Sequence, residues 1–91
     1  MKKTIEVEYV GIEDIQEIMD DAYALMREGH YVSVEIQNIG VAPRVNIDIW
    51  LGGWESTRNK DYGFEFWITD NDTDVAAMNE CKHIIKNLLE E

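Results

Sequence analysis

Cations are what this chain has least of: eight Lys and Arg stand against nineteen Asp and Glu in 91 residues, a net charge of −11. A surface so short of positive charge repels phosphate backbones and anionic membranes, and it draws basic protein surfaces toward it. Direct nucleic-acid binding and membrane binding are therefore not expected. A single cysteine, Cys81, excludes an internal disulfide and suits a reducing compartment. Hydrophobic runs are only a few residues long, so no stretch of the sequence reads as a bilayer span. Met1, Lys2 and Lys3 open like a secretory leader, but Glu6 and Glu8 interrupt the apolar run that would have to follow. Together these point to a cytoplasmic protein.

The sequence is equally poor in catalytic signatures. Ser33 and Ser56 have no activating base motif beside them, and nucleophilic catalysis requires one. Gly52 and Gly53 lack the following lysine and helix of a phosphate loop. Asp70, Asp72 and Asp74 begin like a calcium loop, but Val75 and Cys81 occupy the positions that need Gly and Glu, so the cluster reads as helix capping. Cys81 and His83 lie about 200° apart around a helix and cannot share a metal ion. His30 stands alone between two elements, and zinc needs three or four converging ligands. The expectation is a non-enzyme with no catalytic residue, no metal site and no cofactor.

Apolar residues make up 45% of the chain, including nine aromatics, which is enough for one folded domain over residues 1–91. Residues 4–10 alternate, with Ile5, Val7 and Tyr9 on one side, as in a half-buried strand. Residues 12–28 switch to helical period: Ile12, Ile15, Ile18, Met19, Ala22, Leu25 and Met26 form one apolar stripe, and Gly29 fits a left-handed C-cap. Three alternating strands follow, over residues 31–37, 44–51 and 64–69. The first connection, residues 38–43, suits a hairpin, whereas residues 52–61 are more than a hairpin needs. After the Asp-rich turn, Ala77, Met78, Cys81, Ile84, Ile85 and Leu88 form a second helical stripe that makes Cys81 a core residue.

The order is β-α-β-β-β-α. Period-two alternation implies a sheet buried on one face only, hence mostly antiparallel, with both helices packed on that face in a two-layer α+β sandwich. From residue 12 onward the α-β-β-β-α order resembles the topology of double-stranded RNA-binding domains. That family grips phosphates with lysines at the start of its second helix. Here the same place holds Asp70, Asp72 and Asp74, with Lys82 and Lys86 further along. The resemblance implies the topology and not the function.

Negative charge concentrates at the two ends. Residues 1–28 and residues 62–91 each sum to −5, and the middle third to −1. On the first helix Glu13, Asp14, Glu17, Asp20 and Asp21 occupy the side opposite the apolar stripe, with Arg27 the nearest cation along it. Ordinary solvated helices mix signs, so a one-sign arc reads as a binding surface. Asp70, Asp72 and Asp74 extend the candidate site to the second helix. Tyr31, Trp50 and Trp67 fall on the outward sheet face by parity and Trp54 in the long loop, and exposed aromatics dominate interface energetics. The expected function is an acidic protein-binding module that occupies a partner's basic surface, with a nuclease as a candidate partner. In size, charge and compact form it resembles phage inhibitors of CRISPR nucleases and immunity proteins that cap toxin nucleases. The alternative is a small assembly protein, homodimeric or larger, that uses the open sheet face or an edge strand.

Overall fold

The computed structural model describes residues 10–38, 40, 42–55 and 57–90. The strand expected over residues 4–10 lies outside these except for Val10, whose N–H donates to the Thr69 carbonyl at 3.1 Å. Ser56 is outside as well. The described elements are α1 (Ile12–Arg27), β1 (Tyr31–Asn38), β2 (Pro43–Trp50), β3 (Tyr62–Trp67) and α2 (Asp72–Leu89), an α+β chain in the expected order.

The three strands form one antiparallel sheet in the order β1-β2-β3. Asn38 opposite Pro43 closes the first hairpin. Register is set by the alternation: Val34 faces Ile47 and Ile47 faces Phe64, while Ile36, Val45 and Phe66 line up one step along. A slip of one residue would turn Val45, Ile47 and Ile49, all buried, onto the polar face. These side chains share one core with Ile15, Ile18, Ala22 and Leu25 of α1 and with Met78, Cys81, Ile85 and Leu88 of α2.

Helix ends follow local chemistry. Gly29 takes φ +97°, the left-handed turn expected of it, and the following His30 N–H reaches back to Leu25 O at 3.2 Å. At the start of α2 the cap is Asn71 rather than one of the aspartates: its side chain accepts from the Thr73 N–H at 2.9 Å. Asp74 turns back instead, accepting from Trp67 N–H at 3.1 Å and from the Thr69 hydroxyl at 2.8 Å, and so ties the end of β3 to α2.

One expectation about α1 is overturned. Ile12, Met19 and Met26, assigned to the core stripe, are exposed, and Asp14 and Asp21, assigned to solvent, are buried at 8% and 4% exposure. Periodicity alone does not show which rim of a broad apolar stripe meets the sheet. The neighbouring helix, not solvent, meets Asp14 and Asp21.

Candidate functional site

Going around α1 at about 100° per residue resolves four sectors. Ile15, Ile18, Ala22 and Leu25 face the core. Next to them Asp14, Glu17 and Asp21 face α2. The outward sector carries Glu13, Asp20 and Arg27, and the last sector carries Ile12, Met19, Tyr23 and Met26, all exposed.

The α2 sector is an ion ladder. Lys82 Nζ donates to Asp14 Oδ1 at 2.9 Å, and Lys86 Nζ donates to Asp21 Oδ2 at 2.6 Å. Glu17 sits between the two lysines, 3.7 Å from Lys82 and 3.3 Å from Lys86. Both lysines are buried, at 3% and 6% exposure. Asp14 also accepts from the Gly11 N–H at 3.0 Å, which closes the first turn of α1. Burial pulls the Lys86 ammonium down, but the hydrogen bond and charge of Asp21, and then of Glu17, more than offset it, so Lys86 titrates above the ordinary lysine value. The carboxylates of α1 are therefore not an unrelieved arc. The cations that relieve three of them come from a helix more than sixty residues away in sequence.

That pairing sorts the candidate residues. Asp14 and Asp21 are structural, and Glu17 is partly committed to the ladder. Glu13 and Asp20 on α1, and Asp70 and Asp72 at the start of α2, are exposed. Glu80 is also exposed on α2, and sequence reasoning passed it over because it follows the Asp-rich turn by six residues. Asp74 is held by its two hydrogen bonds.

The aromatic residues do not form one patch. Tyr31 and Trp50 are cross-strand partners at one end of the sheet face opposite the core side chains, with ring centroids 5.4 Å apart and planes at 78°. Trp67 lies opposite Arg44 on β2, six residues before Trp50 along that strand and so about 20 Å from it. Between them the face is polar and paired: Lys60 reaches Asp48 at 2.9 Å, and Arg44 reaches Gln37 at 2.9 Å and Glu65 at 3.4 Å. Lys60 also lies across Gly63, where an added Cβ would come within 2.8 Å of its Cε.

Among the described residues of the 52–61 connection, Arg58 is the hub of the hydrogen bonding. Its guanidinium donates to the carbonyls of Leu51 and Gly53, each at 2.7 Å, and to Asp61 at 2.9 Å. Asp61 accepts in turn from the Leu51 N–H at 2.7 Å, and Trp50 Nε1 donates to the Arg58 carbonyl at 3.1 Å. The Leu51 bond, with help from Arg58, holds the Asp61 carboxyl below its ordinary value. His30 accepts from the Gly52 N–H at 2.9 Å and fastens the loop to the α1–β1 corner. Trp54 projects from this loop at 56% exposure.

Cys81 lies in the core, where burial, with the charge of Glu80 adding to it, pushes the thiol up to about 12. Among the described residues no three His, Cys, Asp or Glu converge as a metal site would require, and no helix is long and apolar enough to cross a membrane. The chain matches no protein-family model, no curated protein and no solved structure with which it was compared.

Proposed function

We propose that this chain is a non-enzymatic, acidic protein-binding module whose helical face occupies a basic surface of a partner, of the kind that grips nucleic-acid phosphates. A nuclease is the partner class this chemistry suits, as it does for phage nuclease inhibitors and immunity proteins. One observation carries the reading. The lysines of α2 that could neutralise the helical surface, or bind phosphate from it, are drawn inside onto Asp14, Glu17 and Asp21. Within the two helices themselves the charged side chains left exposed are Glu13, Asp20, Asp72 and Glu80, with Arg27 at one end, and Asp70 adds to them just before α2. Carboxylates so placed stand in for phosphates and steer association over long range.

The test is stopped-flow association with a panel of basic nucleases at rising salt. The wild-type rate constant for a true partner falls steeply as ionic strength passes about 0.15 M, where screening acts over about 8 Å. Reversing the exposed pair, D20K/E80K, slows association most at low salt. A partner bound equally fast by the reversed variant would leave the acidity as a solubility device and defeat the proposal.

A further inference from the structure

The sector of α1 that neither the core nor α2 uses is apolar. Ile12, Met19, Tyr23 and Met26 are between 43% and 63% exposed. With exposed Gln16 they step 4, 3, 4 and 3 residues along the helix, the spacing of a coiled-coil seam. A solvated helix face does not need that order, and four large side chains in one row make a contiguous patch rather than scattered exposure. We propose that this seam is a homodimer interface, in which α1 packs antiparallel against α1 of a second copy across a two-fold axis near Asp20.

The charges beside the seam select a second copy as the occupant. One flank carries Glu13, Asp20 and Arg27, spaced by seven. In an antiparallel pair this flank meets itself, so Glu13 of each copy falls opposite Arg27 of the other, twice by symmetry. The same alignment interleaves the seam: Tyr23 of one copy enters between Gln16 and Met19 of the other, and Met26 enters between Ile12 and Gln16. In a parallel pair Glu13 of one copy would lie level with Glu13 of the other and about 21 Å along the axis from its Arg27, so no such pairing would form. Asp20 meets its own copy at the axis, a like-charge contact that weakens the dimer, and because Glu13 and Asp20 also belong to the proposed partner surface, dimer and partner complex compete for this flank. From Ile12 to Met26 the seam is about 21 Å long, so the interface belongs to the small, reversible class of about 1,000 Å².

Sedimentation equilibrium over roughly 1 μM to 1 mM decides the matter. The wild-type mass should rise from one copy toward two across that range. Tyr23→Glu should abolish the rise while leaving the far-UV spectrum and, at about 1 μM where wild type is one copy, the melting temperature unchanged, because Tyr23 is exposed in the monomer. Arg27→Glu should weaken the dimer about tenfold, the swap E13R/R27E should restore it, and Asp20→Asn should tighten it. A mass of one copy at every concentration overturns the proposal. A dimer indifferent to Tyr23→Glu, or one the charge swap fails to restore, also overturns it.

Discussion

At the residue scale the inter-helix ladder governs what α1 tolerates. Removing one partner of a buried ion pair costs about 3–5 kcal/mol, most of it from the charge left behind. Asp21→Ala or Lys86→Ala should therefore lower stability by that order in urea unfolding, whereas the double replacement D21L/K86M should recover most of the loss. The pH dependence follows from the direction of the Lys86 shift. Its folded value lies above the ordinary 10.5, so its contribution is fully present below the unfolded value and is lost as pH rises through the folded one. Cys81 gives a second test. With its thiol pushed up to about 12, it stays protonated and inaccessible at pH 8, so a thiol reagent should label it only as fast as the protein unfolds, and Cys81→Ala should cost roughly 1–2 kcal/mol. Rapid labelling of the native protein would remove Cys81 from the core.

At the scale of elements, Ile18 lies in the middle of the face that α1 turns to the core. It is 2% exposed, and Ile18→Asp places an unpaired carboxylate there, which should abolish cooperative unfolding. The 52–61 loop should respond separately. Arg58→Ala removes donors to two carbonyls and to Asp61, and should quench or shift Trp50 emission while melting falls only modestly. Asp61 itself contributes above its unfolded value of 3.8, and that contribution is lost as pH falls through its lower folded value. From α1 onward, element order and strand parity were readable in the sequence because period two and period 3.6 are local signals. Loop 52–61 was readable only as too long, since Arg58 bonds to carbonyls that no spacing rule predicts. The ladder was within reach in principle. Lys82 and Lys86 sit four apart beside the α2 stripe, and Asp14, Glu17 and Asp21 sit beside the α1 stripe with matching steps. Charged rims facing one another across two packed helices were the missed signal.

At the scale of the whole molecule, a net charge of −11 divides into carboxylates the fold consumes and carboxylates it leaves outside. Reversing Glu17, Asp20 and Asp21 together, which the sequence alone suggests would relieve repulsion on α1, should instead destabilise the protein, because two of the three hold α2. The most direct test of this division is a pair of thermal melts on variants with the same change in charge. D20K/E80K alters only exposed positions and should melt at or slightly above the wild-type temperature, since self-repulsion falls. D14K/D21K puts two cations against Lys82 and Lys86 and should melt far lower or fail to fold. Equal melting temperatures for the two variants would contradict the account, because they would show that α1 does not present one set of carboxylates to α2 and another to a partner.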